Sequence, residues 1–270
     1  MKKISALLGV VGFLYSASNA FAHEFWLSPT DYTVAVGEQM QVRLLQGTGM
    51  KGSPLIYLPA DIARFNIVEG ETERAVTARM GDEPALDMPA GPDGLAVVVH
   101  ETMDSEVIYT DFAVFERFVT HKSFNAALAE HAARGLPQTG FSETYRRHAK
   151  SLISVGSGVG KDRAMGLKIE IVALANPYTD DLSAGMPLQV LLDGAPRADA
   201  QIELFQTAPD GNVTISLYRT NASGEVVVPV KQGMEYLVDT VLLTALPNNN
   251  PAAGPVWHSD WASLTFQTPD

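Results

Sequence analysis

Residues 187–205 of this chain read Pro-Leu-Gln-Val-Leu-Leu-Asp-Gly-Ala-Pro-Arg-Ala-Asp-Ala-Gln-Ile-Glu-Leu-Phe. Two short runs of alternating apolar residues flank Asp193-Gly194, a dipeptide typical of tight hairpin turns. A period of two predicts strands that bury one face, and the Asp193-Gly194 turn predicts where one strand ends and the next begins. This stretch therefore predicts β-structure made of short strands.

The same pattern extends in both directions along the chain. About seven strand-like segments follow residue 167, and four more lie in residues 25–107, with glycine-containing turns between them. Strands at this spacing predict a mostly β protein with two antiparallel β-sandwich domains, residues 23–110 and 167–270. The order of strands and turns in residues 191–238 resembles Ig-like sandwiches of the prealbumin or Cna-B type.

The middle of the chain has a different period. Residues 111–153 are predicted to form a short helical insert, and the glycine- and serine-rich residues 154–166 a linker. Residues 126–133 are rich in good helix formers. Two sets of residues suggest helical faces: Phe112, Phe115 and Phe118, then Phe141, Tyr145, Ala149 and Leu152.

Residues 1–22 have the features of a secretory signal peptide. Lys2 and Lys3 precede an apolar run, and Ala20-Phe21-Ala22 is a small-x-small cleavage pattern. The run is shorter than the roughly 20 residues that span a bilayer, and no later segment reaches that length. We expect cleavage after Ala22, export to the periplasm and no membrane span in the mature chain.

Composition narrows the classes of function. The chain has 270 residues, 19 basic against 31 acidic side chains and no cysteine. This excess of acidic groups argues against nucleic acid as a partner, because lysine and arginine supply most of the affinity for phosphates. The lack of cysteine excludes disulfides and thiolate metal sites, so a metal ion has to bind through nitrogen, oxygen or methionine sulfur.

Cleavage after Ala22 makes His23 the first residue of the mature chain. A terminal histidine offers its α-amine and an imidazole nitrogen to one ion, and the amine has a reference pKa of about 8. With a further imidazole this is a nitrogen set that suits copper, and nitrogen with carboxylate ligands also suits nickel or zinc. His23 is therefore the first candidate metal ligand.

Three further residues are candidates to complete that site. His258 and Asp260 are two apart just before the last predicted strand, and an extended segment there would put both side chains on one face. His100 ends an apolar strand and is followed by Glu101. An exposed loop position for His258 and a strand-end hydrogen bond for His100 are the simpler alternatives.

Several stretches together resemble one family. They include Ala22-His-Glu-Phe-Trp-Leu-Ser-Pro29, residues 143–156, residues 166–172 with Asn176-Pro-Tyr178, and residues 261–266. They are similar to exported proteins with a domain of unknown function that are described as similar to periplasmic components of cobalt/nickel (NikM-like) uptake systems. The resemblance implies a soluble accessory of a metal-uptake membrane complex, with His23 as the matching metal position.

The sequence leaves three functions open. The first is a non-enzymatic periplasmic protein that binds nickel, cobalt or copper through His23. The second is a non-catalytic β-sandwich module that binds a protein or a polysaccharide. The third is an oxidative copper enzyme that uses the terminal histidine on an exposed face.

Overall fold

The structure is a computed structural model that describes residues 23–270, so the predicted signal peptide lies outside the described residues. The two helices of this part are α1 (Phe112–His121) and α2 (Ala126–Ala133). Short 3₁₀ turns span Pro59–Asp61 and Pro251–Ala253. The strands are β1 (Glu24–Pro29), β2 (Thr33–Val34), β3 (Gln39–Thr48), β4 (Lys51–Leu55), β5 (Ile62–Glu69), β6 (Thr72–Ala75), β7 (Leu86–Pro89), β8 (Gly94–Thr102), β9 (Ser105–Tyr109), β10 (Phe141–Val155), β11 (Ile169–Ala173), β12 (Met186–Leu192), β13 (Ala195–Pro196), β14 (Gln201–Thr207), β15 (Val213–Arg219), β16 (Glu225–Val228), β17 (Glu235–Ala245) and β18 (Trp257–Gln267).

The strands form three sheets. The central sheet has ten strands in the order β15-β14-β17-β18-β10-β8-β5-β6, with β2 and β9 also paired to β10. The N-terminal sheet contains β1, β3, β4 and β7, and the C-terminal sheet contains β11, β12, β13 and β16. Most neighbours are antiparallel, although β10 runs parallel to β18 and to β2. The predicted mostly β, antiparallel fold with sandwich packing is confirmed.

The central sheet lies between the other layers. On the face that we call the front face, Ala149 and Ile153 of β10 pack with Phe25 and Leu27 of β1. On the back face, Leu152 of β10 and residues of β18 pack with the C-terminal sheet. Because side chains alternate along a strand, consecutive residues of β10 and β18 belong to opposite faces.

The two helices cover the front face beside the N-terminal sheet. The side chain of Asp111 caps α1 by accepting a hydrogen bond from the backbone N–H of Ala113 at 3.0 Å. Helix α1 buries Phe115, Phe118 and Val119 against aromatic residues of β18. The predicted helical spacing of Phe112, Phe115 and Phe118 is therefore confirmed.

The prediction of helix over residues 141–152 was wrong, because these residues belong to the fifteen-residue strand β10. Phe141, Tyr145 and Ala149 are four apart, a spacing that fits one side of a strand as well as one side of a helix. Both faces of β10 are covered, so charged residues such as Lys150 are buried with partners and the polar–apolar alternation is lost.

The central sheet takes strands from both of the predicted domains. Strands β5, β6 and β8 come from residues 23–110, and β14, β15, β17 and β18 come from residues 167–270. Strand β10 joins the two sets by pairing with β8 and β18. Residues 156–166 of the predicted linker contain neither helix nor strand.

Neither α-helix in residues 23–270 is long and apolar enough to span a membrane.

Candidate functional site

His23 stands at the point where the chain enters the fold. The next four residues, Glu24 to Leu27, are buried, and β1 pairs along its whole length with β3. The backbone carbonyl of Leu27 also accepts a hydrogen bond from Thr265 at 2.8 Å. His23 itself is partly exposed and lines an open depression with residues of β3 and β4. A well-packed strand therefore fixes the position of a histidine that remains accessible.

The surroundings of His23 favour its neutral imidazole. Burial and the nearby Arg147 guanidinium together lower the pKa of His23. Arg147 is held over the rings of Tyr145 and Trp261, at 5.0 and 5.7 Å from their centroids. A neutral imidazole has a free nitrogen lone pair, which is the form that binds metal ions.

A buried acidic cluster begins at the residue after His23. Glu24 of β1, Glu203 of β14 and Asp239 of β17 surround Lys122, whose Nζ lies 3.7, 3.0 and 2.9 Å from their carboxylates. Oε2 of Glu24 is buried without a hydrogen-bond partner.

The pKa values in this cluster follow from burial and from an excess of carboxylates. Burial and the nearby Asp239 raise the pKa of Glu24 to about 7. Burial also raises the pKa of Asp239. Burial acts to lower the pKa of Lys122, but Asp239, Glu203 and Glu24 outweigh it and raise that pKa overall. Burial and mutual repulsion therefore disfavour the charged form of two of the three carboxylates that share Lys122.

His258 and Asp260 lie together on the back face. Nε2 of His258 is 3.4 Å from one oxygen of Asp260, and Nε2 of His148 is 3.2 Å from the other. Thr144 Oγ1 lies 2.9 Å from His258 Nδ1. Burial acts to raise the pKa of Asp260, but the hydrogen bonds from His148 and His258 hold it well below its usual range. The hydrogen bond between His258 and Asp260 also raises the pKa of His258.

Sequence reasoning did not find His148 as a member of this group. It placed His148 on a helix, whereas β10 aligns Arg146 with Asp260 in the parallel ladder and puts His148 two residues further on. The available signal was the even spacing of 144, 146, 148 and 150, which puts these polar side chains on one face of a strand.

His100 is buried in an apolar environment. Only 1% of it is exposed, and neither ring nitrogen has a hydrogen-bond partner. Its ring lies between Phe25 and Phe65, with centroid distances of 5.2 and 4.9 Å. Burial lowers the pKa of His100 to about 3, so the imidazole is neutral at physiological pH.

The four candidate ligands lie on two sides of the central sheet. His100 is on the front face with β1, while His258 and Asp260 are on the back face. His23 leads into β1, which is a front-layer strand. Within residues 23–270, no group of three or more histidine, aspartate and glutamate side chains is placed so that it could hold a metal ion.

The fold and the position of His23 thus define the class of protein. It is a three-layered β protein with an accessible histidine directly before its first strand. The chain matches the family described as "Domain of unknown function (DUF4198)" over residues 20–244 and belongs to that family. The description assigns no activity.

Comparison with other proteins adds no function. No curated protein matches the chain. Solved structures that match include a tetra-tandem repeat from the extending region of a large adhesion protein (TM-score 0.20, 11% identity) and the D0-D1 domain of intimin (0.23, 11%). A third is Salmonella alpha-2-macroglobulin reacted with methylamine (0.22, 12%). The matches cover 91, 91 and 90% of this chain and 49, 98 and 15% of those chains, so this chain spans about half the length of the adhesion-protein repeat.

Proposed function

We propose that the chain, once residues 1–22 are removed, binds a transition-metal ion through the α-amine and imidazole of His23. The ion is nickel, cobalt or copper, and the protein acts without turnover as an exported accessory in metal handling. The observation that carries the proposal is the position of His23, a partly exposed histidine directly before a strand whose first four residues are buried.

The donor atoms suit such an ion. Amine and imidazole nitrogens of one residue close a chelate ring, and nitrogen ligands favour copper(II) and nickel(II) among the divalent metals. The lowered pKa of His23 leaves its imidazole unprotonated near neutral pH. A rigid β1 lowers the entropic cost of fixing both donors, because the backbone at this position is already ordered.

The chelate of one residue leaves coordination positions open. The described residues offer no three-residue group to fill them, so water or a partner protein completes the shell in this proposal. Open positions suit a carrier that passes its ion to a metal-uptake membrane complex, which is the partner that we propose.

Open positions also allow bound copper to react with peroxide. Peroxide-dependent cleavage of a polysaccharide by the copper-loaded protein would favour an oxidative enzyme instead.

A second candidate function is a non-catalytic interaction module. The edge strand β15 exposes Ile215 and Leu217, of which 51% and 57% are accessible, at an edge of the central sheet that pairs with no further strand of residues 23–270. Unprotected edges of this kind accept a strand from another protein. Saturable protein or polysaccharide binding that is independent of metal and lost in Leu217→Lys would favour this function.

The first experiment compares His23→Ala with the unaltered mature protein in calorimetric titrations with nickel(II) and copper(II). We expect about 100-fold weaker binding in the variant, because an imidazole ligand and the chelate ring are lost. Binding by the unaltered protein should also weaken as the pH falls below about 8, since the amine has to lose its proton.

The matched control is His121→Ala, which removes a histidine that is hydrogen-bonded to Glu203 beside the buried acidic cluster. This variant should keep the affinity of the unaltered protein. Equal affinities of the His23→Ala variant and the unaltered protein would contradict the proposal.

A further inference from the structure

Strand β15 forms one end of the central sheet and, among the strands of residues 23–270, pairs with β14 alone. Residues 213–218 read Val-Thr-Ile-Ser-Leu-Tyr and contain no charged residue, proline or glycine. Ile215 and Leu217 are two apart and therefore share a face, and 51% and 57% of them are exposed. This edge thus presents unpaired backbone groups beside two exposed apolar side chains.

The opposite end of the same sheet is protected against pairing with another chain. Strand β6 has four residues, and two of them, Glu73 and Arg74, are charged and form ion pairs. Shortness and charge are common devices that keep an edge strand from accepting a further strand. Strand β15 has seven residues and carries no charge before Arg219. Of the two ends, the β15 end is therefore the one suited to add a strand.

The pattern of side chains along β15 is complementary to itself in the antiparallel direction. When Ser216 of two copies stand opposite each other, Ile215 of each copy lies opposite Leu217 of the other. Thr214 and Tyr218 oppose each other in the same way. Directly opposed apolar residues stabilise a ladder, and a two-fold axis makes each of these pairs occur twice.

The charges that flank β15 also favour the antiparallel direction. Asp210 precedes the strand and Arg219 ends it. Antiparallel pairing brings the acidic end of one strand towards the basic end of the other, whereas parallel pairing in register brings like charges together. Arg219 contacts Asp199 at 3.1 Å, but 48% of the Arg219 side chain is exposed, so the guanidinium stays accessible to a second acidic group.

We propose that β15 pairs antiparallel with β15 of a second copy of this chain, so that one continuous sheet crosses a two-fold dimer. This inference rests on the second candidate function, whose exposed edge it uses, and names the partner; it does not depend on metal binding. One strand pair buries less than the roughly 800 Å² per partner of a standard interface, so we expect a dissociation constant on the order of 10 µM.

The first test uses the absence of cysteine from the chain. In the Ser216→Cys variant of the mature protein, the two thiols of the dimer stand opposite each other, with Cα atoms about 4.5–5.5 Å apart, a separation that a disulfide spans. Thr214→Cys is the matched control, because the two copies of residue 214 lie four positions apart, about 14 Å. Under mild oxidation we expect a disulfide-linked dimer to form at least about 10-fold faster in Ser216→Cys, although Thr214 is the more exposed position.

The second test measures the pairing without cysteine, by sedimentation of the mature protein from about 1 to 200 µM. Leu217→Lys places two like charges beside the two-fold axis and should raise the dissociation constant at least about 10-fold. Val227→Lys is its control, because 55% of Val227 is exposed on a different strand, β16. This control should dimerise like the unaltered protein.

A mature protein that remains monomeric up to about 200 µM would overturn the inference. Equal rates of disulfide formation in the two cysteine variants would also overturn it, because parallel pairing and random collision both give that result. A monomer that still binds another protein, in a manner lost in Leu217→Lys, would overturn the dimer and keep the interaction-module function. The two ideas therefore fail separately.

Discussion

Lys122→Met is expected to lower the free energy of unfolding by about 3–5 kcal/mol, the cost of removing one partner from a buried ion pair. Lys122 is the cation that Glu24, Glu203 and Asp239 share, and each of these residues is at least 97% buried. Without Lys122, these carboxylates have to bind protons or remain charged in a low-dielectric site. Urea unfolding at pH 7 measures the change.

The matched control is Lys168→Met. Lys168 bonds Asp193 at 2.7 Å, but 47% and 62% of the two side chains are exposed, so this pair contributes little. We expect a change below about 1 kcal/mol. Equal losses of stability in the two variants would mean that the buried cluster does not depend on Lys122.

The second large effect is a loss of stability in acid that depends on His100. The pKa of this buried imidazole is about 3 in the folded chain and 6.5 in the reference state. Between these values the unfolded chain binds the proton and the folded chain does not, so this contribution is complete above pH 6.5 and is lost as the pH falls. From pH 7 to pH 4 the loss is about 3 kcal/mol.

His100→Phe isolates this effect, because phenylalanine keeps a ring beside Phe25 and Phe65 and does not titrate. The raised pKa of Glu24 acts in the opposite sense, since protonation of that buried carboxyl favours the folded chain as the pH falls below about 7. The difference between the stability curves of the unaltered protein and the variant removes this background. Parallel curves from pH 7 to pH 4 would show that His100 is not the group responsible.

Local patterns predicted much of the fold. Alternation and glycine-containing turns identified most strands, and the spacing of Phe112, Phe115 and Phe118 identified α1. These signals are local because each depends on side chains a few residues apart. The separation of His258 and Asp260 by two positions likewise predicted that their side chains share a face, and the two side chains are in contact.

The order of strands and the grouping of histidines could not be predicted in the same way. His148 meets Asp260 because β10 and β18 are parallel neighbours, although 112 residues separate the pair. His100 meets Phe25 because β1 lies over the central sheet. Such contacts depend on sheet order and register, which no local pattern encodes. A one-residue difference of position decides the face, so His100 points to the front and its neighbour Glu101 contacts Arg146 on the back.

The buried charges show a related limit. Lys122 and Lys150 look like ordinary surface lysines in the sequence, and their burial becomes clear only when distant carboxylates come together. Glu203 and Asp239 face each other in the β14–β17 ladder, and Lys122 reaches them from the end of α1. Burial of charged groups is rare unless they are paired, so these positions depend on the tertiary fold.

The most direct test of metal binding through the terminus is a mature chain that carries one extra alanine before His23. The extension keeps the imidazole, Glu24 and β1 but converts the α-amine to a peptide nitrogen. Calorimetric titration with copper(II) and nickel(II), beside the protein that begins at His23, is expected to show at least about 100-fold weaker binding by the extended chain. Equal affinities of the two proteins would contradict the account.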